Sequence, residues 1–545
     1  MRERGLAHSR GRSLGNGAWP LLLLCCTTAS SGAPRVALVP LDSRPPCHSM
    51  AILVGQAGGA QVVTPPREWL GTLERPGDCE RILEWLSAQA PRCQAAVVSL
   101  DMVTDGGLVA SRTPATPAEV ALGRVRQLAD IRRLLPPGAP LFVFDTIQRI
   151  APTTLDPESG GLAARIAEYV HCASEAEATG DADTVARAIR LRERVPAGAL
   201  EDYYRARQRN HQINLALLEQ LRQGIVDFAV LGLDDTAVYG PHVPEVARLR
   251  AVAAEWRLWD RLGLYPAADE AAMVLIARAT QAVRGTRLRV DVRIVPEAAA
   301  GEIQPYEERP LADTVRDEIR AAGARWVAPG SLADLHLVVV ARAPQGMAEA
   351  EYAARVDAAA ARVASLAQSG RAVAVADIAT VNMASRPLVG ALRRHMRLSE
   401  LAGYSGWGTP ANALGSALAQ GLQAVAGNRL RGAERASAQR ANLVFLAERF
   451  ADDYAYLSLV RPEVAEAQGV RGYSLRLGDH WTSVEAAVAA RLIPAGEALW
   501  RQEFGHAAID LYGAPARLRL RTFDAHLPWP RMFEVELSTT ASTLP

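Results

Sequence analysis

The segment Ile225-Val-Asp-Phe-Ala-Val-Leu-Gly-Leu233 is an apolar run that ends directly in the acidic pair Asp234-Asp235. A continuous apolar run of this length is typical of a strand that is buried on both faces. Similar runs recur along the chain, separated by stretches with helical periodicity such as 116–135 and 311–322. Strands that alternate with amphipathic helices predict an α/β fold built on a parallel sheet.

Eight such runs follow one another, and eight parallel strands would close a (β/α)8 TIM-like barrel. A further run at 61–64 fits only as an excursion between the first two barrel strands. An open doubly wound parallel sheet is therefore the alternative. The eight runs lie at 35–41, 95–100, 141–144, 225–233, 288–295, 335–341, 372–376 and 401–405.

The composition divides the chain into three predicted parts. Residues 1–33 have the plan of a signal peptide, with a cationic lead, an apolar stretch at 18–26 and small residues after it. Residues 34–429 are predicted to form the barrel, with a helical insertion at about 155–224. Residues 430–545 are predicted to form a C-terminal appendage of helical and then β-like character.

The predicted export signal places the protein in the periplasm or outside the cell. Attachment as a lipoprotein through Cys25 or Cys26 is less favoured, because bulky leucines precede both cysteines. An exported location allows one or two disulfides among the later cysteines, and four buried free thiols are the alternative. These later cysteines are Cys47, Cys79, Cys93 and Cys172.

All 60 basic side chains are arginines, and the chain contains no lysine. Schiff-base aldolases, pyridoxal-phosphate enzymes, Walker-A nucleotide hydrolases and Ser-x-x-Lys acylases each need a lysine and are excluded. The formal net charge is only +1, and no strongly basic stretch follows the signal, so we expect no nucleic-acid partner. No later segment offers ~18 uninterrupted apolar residues, so we expect no stable membrane span.

Polar residues follow the predicted strands at the points where the strands end. The carboxyl ends of parallel strands meet at one edge, so we expect these side chains around a single site. Acids and amides hydrogen-bond to sugar hydroxyls, and Trp407 offers a face for stacking on a pyranose, so the expected partner is a small-molecule or glycan substrate. The candidate substrate-binding residues are Asp42, Arg44, Asp101, Arg112, Asp145, Asn210, Tyr239, Asp377, Asn382, Trp407 and Asn412.

Asp234 and Asp235 are the candidate catalytic pair for cleavage of a glycosidic bond. One carboxylate would stay ionised beside the developing positive charge, and the other, with a raised pKa, would protonate the leaving oxygen. Neighbouring side chains of a regular strand point to opposite faces, so both reach one site only if the pleat breaks there. A calcium ligand or a pair of turn-forming aspartates is the alternative interpretation.

Two other functions would use the same rim. The aspartates Asp42, Asp101, Asp145 and Asp377 could hold Mg²⁺ or Ca²⁺ in a metal-dependent hydrolase, and a non-catalytic carbohydrate-binding protein of the envelope would need no turnover. Zinc is not expected without an H-E-x-x-H motif, and Gly403-Tyr-Ser-Gly-Trp407 misses the G-x-S-x-G elbow. No G-x-G-x-x-G follows a strand, so the favoured function is expected to need no cofactor and no metal.

Seven motifs along the chain carry a resemblance to a known family. They are Pro40-Leu-Asp42-Ser-Arg44-Pro-Pro46, Ser99-Leu-Asp101 through Arg112, Arg207-Gln-Arg-Asn210 with Asn214, Gly232-Leu-Asp-Asp235 through Gly240, Ala376-Asp377 through Asn382, Gly406-Trp407 through Gly415, and Leu527-Pro-Trp-Pro-Arg531 with Phe533-Glu534. Together they resemble the bacterial family named domain of unknown function 4127. The resemblance covers nearly the whole chain after the signal and implies no activity.

The aspartate pair is also similar to the arrangement in retaining N-acetylhexosaminidases of the O-GlcNAcase type. In those enzymes the acetamido oxygen of the substrate is the nucleophile. The similarity implies that Asp234 orients and polarises the acetamido group and that Asp235 is the general acid and base. The sequence therefore favours an exported glycoside hydrolase, substrate-assisted on an N-acetylhexosamine where this similarity holds.

Overall fold

The computed structural model of the protein describes residues 32–153 and 157–543. The predicted signal peptide at 1–33 lies, except for its last two residues, outside these ranges. Within them, no helix combines the length and the apolar character that a membrane crossing requires. The four cysteines of the described residues are all buried and free, and no disulfide joins them. The alternative of four buried thiols therefore holds.

Within the described residues, eleven parallel strands form two separate sheets. The strands of the first sheet are β1 (Arg35–Val39), β2 (Gln61–Val63), β3 (Ala95–Ser99), β4 (Leu141–Ile147), β5 (Phe228–Leu233) and β6 (Leu262–Pro266). The strands of the second sheet are β7 (Arg289–Val295), β8 (Arg325–Trp326), β9 (Leu335–Ala341), β10 (Val373–Ile378) and β11 (Gly403–Ser405). Their spatial orders are β2-β1-β3-β4-β5-β6 and β8-β7-β9-β10-β11.

The topology is that of two open, doubly wound sheets rather than one barrel. In each sheet the first strand lies between the second and the third, which is the arrangement of doubly wound folds. The eight strands predicted from the sequence are present, but four belong to each sheet, so the prediction of a single (β/α)8 barrel is corrected. The first sheet ends at β6, whose Pro266 is tolerated because an edge strand leaves one side unpaired.

Eighteen α-helices connect and cover the strands in the described ranges. The helices before the second sheet are α1 (Ser49–Ala57), α2 (Cys79–Gln89), α3 (Leu100–Asp105), α4 (Leu108–Ser111), α5 (Ala118–Arg126), α6 (Leu128–Leu134), α7 (Pro157–Thr179), α8 (Ala182–Glu193), α9 (Ala197–Arg222), α10 (His242–Glu255) and α11 (Ala271–Val283). The later helices are α12 (Leu311–Ala321), α13 (Glu349–Gln368), α14 (Arg386–His395), α15 (Pro410–Asn428), α16 (Gly432–Arg449), α17 (Arg461–Ala467) and α18 (Trp481–Leu499).

The two sheets share one hydrophobic core through helices that lie between them. Helix α11 packs against β1, β3 and β4, helix α15 packs against β9, β10 and β11, and the two helices pack against each other. In α15, 18 of the 19 residues are buried. The common core contains Val97 and Phe144 of the first sheet together with Leu337 and Ala376 of the second. A helix that is apolar on every side is stable only when it is surrounded, which explains the composition of α11 and α15.

The residues after 430 bring the chain back to the first sheet. Helix α16 continues through a π-helical segment, Phe450–Val460, into α17. After α18, an antiparallel sheet is formed by β12 (Ala508–Leu511), β13 (Ala514–His526) and β14 (Glu536–Thr543). The segment 527–535 between β13 and β14 lies against the carboxyl end of β1, where the Trp529 indole donates to Ser43 Oγ at 3.0 Å.

Candidate functional site

A cavity of about 560 Å³ opens at the carboxyl ends of both sheets. Ligands of open α/β folds bind at this end of the strands, next to the point where the strand order reverses, so this cavity is the candidate site. Its wall combines residues that follow strands of the first sheet, residues that follow β10 and β11, and the C-terminal segment. The polar and aromatic wall residues include Arg44, Arg112, Arg149, Asp234, Asp235, Asp269, Asn382, Trp407, Asn412, Trp529 and Arg531.

The Asp234-Asp235 pair places both of its side chains in the cavity wall. The Asp234 N–H donates to the Ile147 carbonyl at 3.2 Å and so continues the pairing of β5 with β4. Asp235 has a φ of 39°, in the left-handed region, which ends the extended conformation. The pleat therefore breaks between the two residues, and alternation no longer sends their side chains to opposite faces. Burial and the neighbouring Asp234 raise the pKa of Asp235 to about 6.

An arginine pairs with each of these carboxylates. Arg112 donates to the Asp234 carboxylate and to the Thr153 hydroxyl, and both members of the Arg112–Asp234 pair are buried. Arg149 lies 3.2 Å from the Asp235 carboxylate in a more open pair, in which Asp235 keeps 31% of its side chain exposed. Burial and the charge of Arg112 lower the pKa of Arg149. The two aspartates thus occupy different environments. Asp234 is buried in its ion pair with Arg112, whereas Asp235 is accessible from the cavity.

Arg44 is held between two buried carboxylates in the cavity floor. Its Nε and Nη2 donate to Asp42 at 2.8 and 2.6 Å, and its Nη1 and Nη2 donate to Asp269 at 2.9 and 2.6 Å. Within the described ranges, the three-residue group with metal-ligand spacing is Asp42, Cys47 and Asp269. The Arg44 guanidinium contacts all three, with Nη2 3.6 Å from Cys47 Sγ. A fixed cation of the protein therefore occupies the position that a metal ion would need.

The C-terminal segment adds aromatic surface and another guanidinium to the wall. The Arg44 guanidinium carbon lies 5.3 Å from the centre of the Trp529 ring, and that of Arg531 lies 4.8 Å from the same ring. Arg531 donates from Nε and Nη2 to the Glu534 carboxylate. Cation–π contacts of this kind hold both guanidinium groups against the indole.

The chain matches one protein-family model over residues 36–538, and that family is described as "Protein of unknown function (DUF4127)". The chain belongs to the DUF4127 family. The comparisons with curated proteins and with solved structures gave no match.

The DUF4127 match confirms the resemblance carried by the seven motifs. It begins within β1 and ends within β14, and so it includes both parallel sheets and the whole polar wall of the cavity. The description of the DUF4127 family assigns no activity.

Two of the predicted substrate-binding acids lie outside the cavity wall. Asp101 is buried and accepts hydrogen bonds from the N–H and the hydroxyl of Thr146, at 3.0 and 2.9 Å. Asp145 is also buried and accepts from the Asn214 amide at 2.7 Å. Burial raises the pKa of Asp101 to about 6, and burial together with Asp101 raises that of Asp145 well above its ordinary value. Asp101 thus joins the start of α3 to β4, and Asp145 joins β4 to helix α9. Neither acid lines the cavity.

Three other predicted residues also have structural partners away from the wall. Asp377 accepts from the Tyr404 hydroxyl at 2.9 Å, and burial raises its pKa to about 7. The Asn210 amide donates to the Ser111 carbonyl at 2.8 Å. Tyr239 lies beyond the residues that line the cavity. Asp42 is not among the residues that line the cavity; it contacts Arg44, which lines it.

Four of the wall residues named above are absent from the predicted set. Arg149 comes five residues after the predicted strand 141–144, and Asp269 follows β6, which was not recognised as a strand. Trp529 and Arg531 belong to the motif Leu-Pro-Trp-Pro-Arg, which the sequence shows but does not place near β1. The rule that strand ends meet at one edge identifies Asp269 once β6 is known.

A group of three buried glutamates lies next to the cavity floor, between α11, α12 and α15. A Cβ atom at Gly415 would come within 2.5 Å of Glu270 Cγ and 3.0 Å of Glu318 Oε2, so these two side chains share one space. Across the described residues, no hydrogen-bond partner exists for Oε1 of Glu270, Oε1 of Glu307 or either carboxylate oxygen of Glu318. Burial raises the pKa of Glu270 and of Glu307 to about 8. These side chains are therefore neutral acids at neutral pH.

Proposed function

We propose that the protein is an exported glycoside hydrolase in which Asp234 and Asp235 divide the work of acid–base cleavage. The observation that carries the proposal is the unequal setting of the two carboxyl groups in one cavity. Asp234 is buried in an ion pair with Arg112, whereas Asp235 is partly exposed and has its pKa raised to about 6. Two carboxyl groups whose environments differ in this way suit the roles of a fixed anion and a proton donor.

In the proposed reaction, protonated Asp235 donates to the glycosidic oxygen while the bond from that oxygen to the anomeric carbon breaks. Asp234 is held in its ion pair with Arg112. Asp234 then stabilises the positive charge at the anomeric carbon, or orients the acetamido group of an N-acetylhexosamine whose oxygen attacks that carbon. Water then adds to the anomeric carbon and gives a proton to Asp235, which restores the starting state. Where the acetamido oxygen has attacked, its bond to the anomeric carbon breaks as water adds.

The rest of the cavity wall supports a sugar ligand. A volume of about 560 Å³ lies within the ~300–1,000 Å³ range of small-molecule sites and has room for a short oligosaccharide. The Trp407 N–H donates to Ser416 Oγ at 3.2 Å, which fixes the indole while its ring lines the cavity. The amides of Asn382 and Asn412 supply donors and acceptors for sugar hydroxyls.

Acid–base chemistry is favoured over the metal-dependent alternative. The Arg44 guanidinium lies between Asp42 and Asp269, so the carboxylates with the best spacing for a metal already have a counterion. Asp101 and Asp145 are committed to hydrogen bonds inside the fold. The remaining alternative is a protein that binds glycans without cleaving them. The absence of turnover in the activity test below would favour that alternative.

The test compares the purified wild type with the variants Asp235→Asn and Asp234→Asn on a panel of 4-nitrophenyl glycosides that includes N-acetylhexosaminides. Loss of a general acid is expected to lower kcat/KM by about 10²–10⁴-fold. For a 2,4-dinitrophenyl glycoside, whose leaving group needs no proton, the loss in Asp235→Asn should be much smaller. The exposed Asp260→Asn serves as the matched control and should behave like the wild type. Equal turnover of the 4-nitrophenyl substrate by the wild type and Asp235→Asn would remove Asp235 from the mechanism.

A further inference from the structure

Three guanidinium groups share one side of the cavity. Arg112, Arg149 and Arg531 all line it, and the charges of Arg112 and Arg531 both act on Arg149, whose pKa is lowered chiefly by burial and also by these two cations. Like charges repel strongly where water is scarce, so a protein keeps them together only with compensating anions. The anions available to this group decide what the cavity can bind.

Two of the three arginines have a dedicated carboxylate. Arg112 pairs with Asp234, and Arg531 pairs with Glu534 through Nε and Nη2. Among the described residues, Arg149 pairs with Asp235, at 3.2 Å. In the proton-loaded form that the proposed mechanism requires, Asp235 carries no charge. Arg149 is then left without an ionised partner of its own among the described residues, whereas Arg44 keeps two, Asp42 and Asp269.

The guanidinium groups are positioned in advance for an anion. Arg149 is held from behind, because its Nε donates to the Ala151 carbonyl at 2.8 Å and its Nη2 lies 3.4 Å from the Pro152 carbonyl. Arg531 is fixed by Glu534, and over the described residues its Nη1 makes no hydrogen bond. Donors that are already immobilised bind a ligand without a further loss of side-chain entropy.

We propose that the sugar bound in this cavity carries a carboxylate, as in a uronic acid or a carboxyalkylated amino sugar, and that Arg149 and Arg531 bind that carboxylate. A carboxylate supplies Arg149 with the single negative charge that protonated Asp235 no longer provides. The inference names the substrate class of the proposed glycosidase, and it rests on that function for the protonated state of Asp235.

Binding of the carboxylate is linked to the protonation of Asp235. The groups that face Asp235 are Asp234 on its own strand end, Arg149 after β4, Arg112 at the end of α4 and Asp269 after β6. A ligand anion beside Arg149 favours the protonated form of Asp235, and ionised Asp235 competes with the ligand for Arg149. The substrate would thus help to keep its own proton donor loaded.

Calorimetric titration of the full chain with free sugars tests the inference without turnover. The ligands are D-glucuronate, D-galacturonate, D-mannuronate and N-acetylmuramate, each beside its neutral parent sugar, together with glucose 6-phosphate and inorganic phosphate. At least one carboxylated sugar is expected to bind tenfold or more tightly than its neutral parent at pH 5.5. Equal affinity for the two, no binding of any carboxylated sugar, or tighter binding of glucose 6-phosphate would each overturn the assignment.

Variants locate the anion site. Arg149→Gln and Arg531→Gln should each weaken binding of the carboxylated sugar at least tenfold and leave the neutral parent unaffected, whereas the exposed Arg190→Gln should change neither. Wild-type affinity should fall about tenfold from pH 5.5 to pH 7.5, and Asp235→Asn should bind equally well at both values. Unchanged affinity in both arginine variants would refute the site.

Failure of this inference can be told apart from failure of the proposed function. Binding of a carboxylated sugar without hydrolysis of any glycoside would support the anion site and reject the glycosidase. Hydrolysis of neutral glycosides without any preference for carboxylated ones would reject the anion site alone.

Discussion

Replacing Glu270 with glutamine is expected to stabilise the protein increasingly as the pH rises. Oε2 of Glu270 accepts the Ala268 N–H at 3.1 Å, and its Oε1 is among the buried atoms without a partner in the described part of the chain. A glutamine keeps the acceptor for Ala268 and replaces the unpartnered oxygen by an amide that can donate towards Glu318. The substitution thus removes a buried acid and retains its one hydrogen bond.

The magnitude follows from the pKa of Glu270, which burial raises from 4.5 to about 8. Because the pKa of Glu270 is higher in the folded than in the unfolded state, its contribution to the free energy of unfolding is fully present below pH 4.5. That contribution is lost as the pH rises through about 8. Between pH 6 and pH 8 this single group should cost the folded state about 2 kcal/mol. For a chain of this size, that difference corresponds to about 2 °C in Tm.

Scanning calorimetry of the wild type and Glu270→Gln at pH 6 and pH 8 provides the measurement. The difference in Tm between the two proteins should grow by about 2 °C over that interval. The exposed Glu255 at the end of α10 offers the matched control, since Glu255→Gln removes the same charge outside the core. A difference in Tm that stays constant or shrinks with pH would refute the argument that Glu270 is a buried neutral acid.

Two further predictions concern the site. Under the proposed function, kcat/KM on an aryl glycoside should fall about tenfold per pH unit above pH 6. Burial and Asp234 raise the pKa of Asp235 to about 6, and only its protonated form can donate a proton. A pH–rate profile that is flat from pH 5 to pH 8 would contradict this prediction. The variant Arg44→Met should lose about 3–5 kcal/mol of stability, because it leaves Asp42 and Asp269 buried without their counterion. Calorimetry would measure that loss as a lower Tm. An Arg44→Met protein as stable as the wild type would contradict the view that Arg44 stabilises the fold as the counterion of Asp42 and Asp269.

The strands could be predicted because each is a local apolar run, as the segment 225–233 shows by becoming β5. The division of those strands between two sheets could not, because strand pairing depends on contacts between distant segments. Strand β6 reads Leu-Gly-Leu-Tyr-Pro, and its glycine and proline are typical of a turn. Because β6 does not stand out as an apolar run, the sequence shows eight main runs, and that number favours a (β/α)8 barrel.

The site was predictable to the extent that it obeys the rule of shared strand ends. Arg44, Asp234 and Trp407 follow three different strands, and all three line the cavity, as the rule predicts. It could not decide whether an acid at a strand end faces the cavity or the interior, and Asp145 faces the interior. It also says nothing of Arg531, which arrives on a segment that returns to β1 from the far end of the chain.

The helix α15 constrains how a ligand can enter. Since 18 of its 19 residues are buried and it packs against both α11 and the second sheet, separating the two sheets would expose a largely apolar helix to water. We therefore expect a ligand to enter the cavity through local rearrangement at its edge, such as the loop that carries Tyr306, whose side chain is half exposed.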